Sequence, residues 1–137
     1  MVTALYAGIF AFMQVFLTLR VIQKRVAHNI SLGHGDNEEL LRNIRVHGNF
    51  VETIPMALFL MLLLESSGLA WWILHALGGT MLLSRVFHMI GLLTGDRLHR
   101  FRVAGVVLMI GVYLTGAVLC FLMGLPTTTS LLPIQDG

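Results

Sequence analysis

The chain has 137 residues, of which 56% are hydrophobic and only 12% charged, whereas a soluble domain is about one quarter charged. A chain this short cannot bury so much apolar surface in one core, which excludes a water-soluble fold. The net charge of +2 comes with no basic stripe on a soluble element, which excludes nucleic acid as a partner. Because the apolar stretches are long and do not alternate with polar residues, they indicate membrane-spanning helices rather than a β-barrel.

Four apolar stretches follow one another, and each is long enough, at roughly 20 residues, to cross the hydrocarbon layer as a helix. The predicted helices cover residues 2–24, 41–65, 69–93 and 101–123, followed by a tail over 124–137. No basic segment precedes Arg20, so we interpret the first helix as a retained span and not as a signal peptide. The sequence therefore predicts an all-α membrane protein in which residues 1–137 form one domain, a bundle of four transmembrane helices.

The connections between the helices contain turn-forming and helix-capping residues. Asn29 and Gly35 are turn formers in the first connection, which is predicted to run from about residue 24 to residue 41. Either Asp36 or Asn37 is expected to cap the second helix. The second connection, near Ser66, is very short, and this makes the second and third helices antiparallel neighbours.

The basic residues are distributed unevenly along the chain. Of the nine Lys and Arg residues, five lie in segment 20–45, three in segment 97–102, and the last is Arg85. The positive-inside rule places both basic segments in the cytoplasm. Both termini are therefore expected on the other side of the membrane.

Six polar residues concentrate in the predicted cytoplasmic halves of helices two to four. This polar cluster consists of Arg45, Asn49, Glu52, Arg85, His88 and Arg102. The first three follow i, i+4, i+7 spacing and therefore share one helical face. An ionisable residue inside the hydrocarbon costs about 2.5 to 3.5 kcal/mol on insertion scales, so Glu52 and Arg85 should face the bundle and not the lipid.

Two interpretations of the polar cluster are open. In the first, Glu52 and Arg85 form an interhelical ion pair that only fixes packing, while Arg45 and Arg102 meet lipid headgroups. In the second, the cluster binds a charged ligand. Three Arg residues and one Glu carry a net charge of +2, which suits an anion that also bears an ammonium group.

The remaining histidines give weaker signals. No pair of them has the spacing and carboxylate support of a metal site, so no metal is predicted. We place His28, His34 and His99 in solvated loops. His47 points away from Arg45 on the second helix and is expected to contact another helix or another subunit.

The stretch Glu39–Glu65, ELLRNIRVHGNFVETIPMALFLMLLLE, closely resembles the MAPEG family, the membrane-associated proteins in eicosanoid and glutathione metabolism. The motif that carries the resemblance is Arg45-x-His47-x-Asn49-x-x-Glu52-x-x-Pro55 at the start of a second transmembrane helix. The resemblance continues through Arg85-x-x-His88 to Arg102 and is strongest to the bacterial branch of the family.

This resemblance implies a homotrimer of four-helix subunits, located in a bacterial inner membrane, with glutathione bound between adjacent subunits near the cytoplasmic face. The positions implied to contact glutathione are Arg45, Asn49, Glu52, Arg85 and His88. Arg102 matches the arginine that stabilises the glutathione thiolate, and Arg20 or Arg25 matches a further basic contact. The implied activity is that of a membrane glutathione transferase, which conjugates lipophilic electrophiles with glutathione or reduces lipophilic peroxides.

Two departures from the family pattern narrow this expectation. Leu92 stands where several relatives have a tyrosine, and Val103 stands where some have a serine. Prostaglandin synthase chemistry is therefore not expected. Two alternatives to a transferase stay open: a glutathione-binding scaffold without turnover, and a small proton-coupled transporter that uses Glu52.

Overall fold

The computed structural model describes residues 1–94 and 99–125. Its four helices are α1 (Val2–His28), α2 (Glu38–Ser66), α3 (Trp71–Leu93) and α4 (His99–Gly124). Each is long and apolar enough to cross a membrane, and the described residues form no strand. The prediction of an all-α membrane protein with four spans is confirmed.

Helix α1 extends four residues further than the sequence indicated. It ends only at Asn29, which adopts the left-handed conformation with φ 52° and whose backbone N–H donates to the Val26 carbonyl over 3.2 Å. Arg25 and His28 lie in the last turn, where cationic side chains interact favourably with the helix dipole. Local capping therefore carries the helix past the apolar stretch that predicted it.

Helix α2 begins earlier than predicted because Asn37 caps it. The Asn37 Oδ1 atom accepts a hydrogen bond from the backbone N–H of Leu40 over 2.8 Å, which resolves the choice between Asp36 and Asn37. The first connection is therefore shorter than expected. The third connection, predicted near 94–100, and the tail predicted over 124–137 fall largely outside the described residues.

The two middle helices hold the bundle together. Helices α2 and α3 pack against each other, and each also packs against both α1 and α4, whereas the described parts of α1 and α4 do not contact one another. Large apolar side chains fill the space between the helices, including Phe10, Phe50, Met61, Leu74 and Met81.

One end of the bundle brings the start of α1 next to the end of α2. There the Glu65 carboxylate accepts hydrogen bonds from the backbone N–H groups of Val2 and Thr3, the latter over 2.9 Å. These N–H groups have no partner within α1, so a side chain of another helix caps it. The opposite end, where α2 begins and α3 ends, contains the polar cluster and is called the polar end below.

Two glycines allow α3 and α4 to approach closely near the polar end. A Cβ atom on Gly91 would lie 2.7 Å from Cα of Arg102, and one on Gly105 would lie 2.7 Å from the backbone nitrogen of His88. A side chain at either glycine would collide with the backbone of the facing helix. The glycines therefore fix the separation at which Arg102 and His88 face the same space.

Candidate functional site: a polar cavity between three helices

A cavity of about 640 Å³ opens at the polar end, and we call it the polar cavity. Its volume lies within the range of roughly 300 to 1,000 Å³ that is typical of small-molecule sites. Its lining residues are His34, Leu41, Ile44, Arg45, Gly48, Asn49, Glu52, His88, Leu92 and Arg102. Five of the six residues of the polar cluster thus surround one space, to which α2, α3 and α4 each contribute.

The α2 side of the polar cavity carries two charged side chains that have no salt-bridge partner among the described residues. Arg45 and Glu52 are exposed, and neither makes a salt bridge or a side-chain hydrogen bond within the described part of the chain. Their predicted helical spacing with Asn49 places all three on the cavity wall. A cationic fork and a carboxylate are therefore both available to a ligand.

The α3 and α4 sides are positioned by the close helix packing described above. His88 is 6% exposed and lies against Gly105, while Arg102 lies in the first turn of α4 against Gly91 and is exposed. Because α4 starts at His99, Arg102 projects from the polar end of the helix. An anionic group in the cavity would meet the guanidinium of Arg102 without displacing an existing partner among the described residues.

Arg85 lies apart from the polar cavity. Its guanidinium donates to Asn49 Oδ1, to Thr53 Oγ1 over 2.9 Å and to Ser84 Oγ over 2.8 Å. The prediction of an ion pair between Glu52 and Arg85 is wrong, because the described residues include no salt bridge to either side chain. The packing interpretation depended on this ion pair. Within the polar cluster, the Arg85 side chain hydrogen-bonds to Asn49.

His34 lines the polar cavity, although the sequence predicted that it would be solvated. It lies in the loop between α1 and α2, is half-buried and lines the polar cavity. Gly33 and Gly35 flank it with φ values of 65° and 53°, and the His34 carbonyl accepts a hydrogen bond from the Asn37 backbone N–H over 2.9 Å. The two glycines around one histidine were the available signal, because they permit the left-handed turns that direct the loop over the cavity.

Some of the basic and imidazole groups outside the polar cluster have structural partners. His47 Nε2 lies 3.0 Å from Gln14 Nε2 and 3.1 Å from Thr18 Oγ1, so the expected contact with another helix is confirmed. Arg25 donates to the Ser31 carbonyl over 3.2 Å. Neither Arg25 nor Arg20 is among the residues that line the polar cavity.

Four helices long and apolar enough to span a membrane, with a charged cavity between α2, α3 and α4 at one end of the bundle, define an integral membrane protein with a candidate site for a polar ligand. The sequence profile of the MAPEG family matches residues 3–122, and the chain belongs to this family.

The chain is similar to the inner membrane protein YecN of Escherichia coli strain K12, with 38% identity over 105 residues that cover 77% of this chain and 79% of YecN. The inner membrane protein YecN of Escherichia coli O6:H1 matches with the same identity and coverage. No solved structure matches the chain significantly.

Proposed function

We propose that this protein is an integral membrane glutathione transferase, which conjugates lipophilic electrophiles with glutathione or reduces lipophilic peroxides with it. The observation that carries the proposal is the convergence of Arg45, Asn49, Glu52, His88 and Arg102 on one cavity. Membership of the MAPEG family supports it, because members of that family include glutathione transferases.

Glutathione has two carboxylates and one ammonium group, and the α2 wall of the polar cavity offers a guanidinium for one carboxylate and a carboxylate for the ammonium group. In the proposed complex, the Arg45 guanidinium binds a carboxylate through its planar fork, and the Glu52 carboxylate binds the ammonium group. The Asn49 amide and the His88 imidazole supply neutral hydrogen bonds. Arg85 does not contact glutathione in this complex but positions Asn49 by donating a hydrogen bond to the Asn49 Oδ1 atom.

Arg102 has the central chemical role in this proposal. A guanidinium beside the thiol of glutathione stabilises the thiolate and lowers the pKa of the thiol, as a neighbouring cation does for cysteine. The thiolate then attacks the electrophilic carbon, so a carbon–sulfur bond forms and the leaving group departs with its electron pair. The apolar wall formed by Leu41, Ile44 and Leu92 would accommodate the lipophilic substrate, which enters from the lipid.

We further propose that the protein assembles as a homotrimer in a bacterial inner membrane, with both termini outside the cytoplasm. The open side of the polar cavity, where Arg45 and Glu52 are exposed in the single chain, is consistent with completion by an adjacent subunit. Light scattering of the detergent-solubilised protein tests the trimer. Labelling of single cysteines introduced at Ser31 and at Ser67, in a Cys120→Ser background, tests the orientation.

The mechanism is tested by titrating the purified full-length protein with glutathione and recording the ultraviolet absorbance of the thiolate. We expect a saturable thiolate signal near neutral pH that Arg102→Ala abolishes. Arg100→Ala is the matched control, because Arg100 is exposed in the same turn of α4 but does not line the polar cavity. Absence of a thiolate signal at saturating glutathione in the unmodified protein would refute the mechanism.

The same preparation separates a transferase from a binding protein without turnover. Both bind glutathione, but only a transferase consumes glutathione when it is offered a chlorodinitrobenzene and a lipid hydroperoxide. We expect conjugate or lipid alcohol to form at rates that fall in Arg102→Ala and persist in Arg100→Ala. Glutathione binding with no product from either substrate would favour the scaffold.

A further inference from the structure

Arg85 is a buried cation without a matching anion. Its side chain is 3% exposed, and its three hydrogen-bond acceptors, on Asn49, Thr53 and Ser84, are all neutral. Its Nε atom is buried and has no partner in the described part of the chain. None of the carboxylates in residues 1–94 and 99–125 lies within 4.0 Å of the guanidinium.

Such an arrangement is costly inside a membrane protein. Transfer of an ion from water into a medium of low dielectric constant has a large penalty, and neutral acceptors offset it only in part. Buried charges in proteins are therefore nearly always paired with an opposite charge. Among the described residues, Arg85 therefore lacks the opposite charge that usually accompanies a buried guanidinium.

A small cavity adjoins Arg85. Its volume is about 90 Å³, and it is lined by Asn49, Thr53, Arg85, Val106, Met109, Ile110 and Tyr113. The lining includes no acidic residue, and the Tyr113 hydroxyl is already used as a donor to the Thr53 carbonyl over 2.6 Å. This leaves the Arg85 guanidinium and the Asn49 side-chain amide nitrogen, which makes no hydrogen bond to a described residue, as the donors for an occupant.

The volume of the small cavity limits the size of the ligand that it can hold. A space of 90 Å³ holds roughly three water molecules, so a peptide, a nucleotide or a lipid headgroup does not fit. Asn49 lines both this cavity and the polar cavity, so the two cavities adjoin at this side chain.

We propose that the small cavity binds one small inorganic anion, chloride under cellular conditions, which neutralises Arg85 and fixes the position of Asn49. This site is separate from the proposed glutathione site and does not depend on glutathione binding. Glutathione and chloride would nevertheless be coupled, because Asn49 lines both cavities.

The proposal is tested by thermal unfolding of the full-length protein, in a neutral detergent and without glutathione, in sodium chloride and in sodium gluconate of equal ionic strength. Gluconate is too large for the cavity. We expect chloride and bromide to raise the unfolding temperature saturably, by about 3 °C, because they bind the folded state, and gluconate to leave it unchanged. Arg85→Met should abolish the difference between chloride and gluconate, whereas Arg100→Met, which removes an exposed charge, should retain it.

Direct binding is measured by the broadening of the chloride NMR line, which bromide should reverse by competition. This measurement decides the matter even if Arg85→Met does not fold. Equal unfolding temperatures in chloride and gluconate, together with an unbroadened chloride line, would overturn the proposal and assign the cavity to water. A chloride effect that persists in folded Arg85→Met would place the anion elsewhere. A failure of glutathione to bind would refute the proposed function but not this site.

Discussion

The contact of Gly105 with α3 gives the sharpest test of how the site is built. A Cβ atom at this position would lie 2.7 Å from the Ser84 carbonyl oxygen and from the His88 backbone nitrogen, whereas ordinary contacts begin at 3.4 Å. Because both are backbone atoms, no side-chain rotation relieves the clash, and α3 and α4 must separate by about 0.7 Å in Gly105→Ala. Overpacking of this kind costs about 1 to 3 kcal/mol of folding free energy.

The same displacement moves His88 away from Arg102 within the polar cavity. Misplacement of a site by about 1 Å lowers catalytic efficiency by up to roughly 100-fold, so kcat/KM for glutathione conjugation should fall by about 10- to 100-fold. The assays are thermal unfolding and conjugation kinetics of the detergent-solubilised protein. Gly111→Ala is the matched control, because it lies on the same helix and a Cβ atom there would meet nothing within 4 Å. Equal stability and activity of Gly105→Ala and Gly111→Ala would refute the reasoning.

Three further predictions concern single side chains at the two ends of the bundle. His34→Ala should weaken glutathione binding by up to about 10-fold in calorimetry, the effect of one lost hydrogen bond, whereas His28→Ala, outside the cavity, should bind normally. Glu65→Gln should lower the free energy of unfolding by about 1 kcal/mol, because the α1 N-terminus loses its charged cap, and Glu38→Gln should lower it less. Glu52→Gln should raise the dissociation constant of glutathione and of its ammonium-bearing analogues, but not that of a desamino analogue; proton-driven efflux that the variant abolishes would instead indicate a transporter.

Helical periodicity made one wall of the site predictable. Arg45, Asn49 and Glu52 belong to a single helix, and their spacing alone places them on one face. Helix α2 also carries most of the motif that resembles the MAPEG family. Arg102 and His88 could be predicted to lie at the same end of the bundle because successive spans run in alternating directions.

The helix ends were less predictable than the spans because different interactions determine them. Hydropathy marks the residues that can lie in lipid, but α1 continues to His28 until Asn29 adopts a left-handed cap, and α2 starts at the Asn37 cap. These hydrogen bonds involve polar residues outside the apolar stretch. The hydropathy of the sequence therefore underestimated both helices at the polar end.

The sequence by itself determined that the chain spans a membrane four times and that a positively charged cluster lies at one end, because hydropathy and helical spacing are local properties. Only the tertiary structure decided the partners within the cluster. Arg85 contacts neutral groups instead of Glu52, and His34 enters the cavity from a loop. Such contacts depend on the rotation and separation of whole helices. The separation is set by close approaches between residues far apart in the sequence, such as that of Gly91 to Arg102.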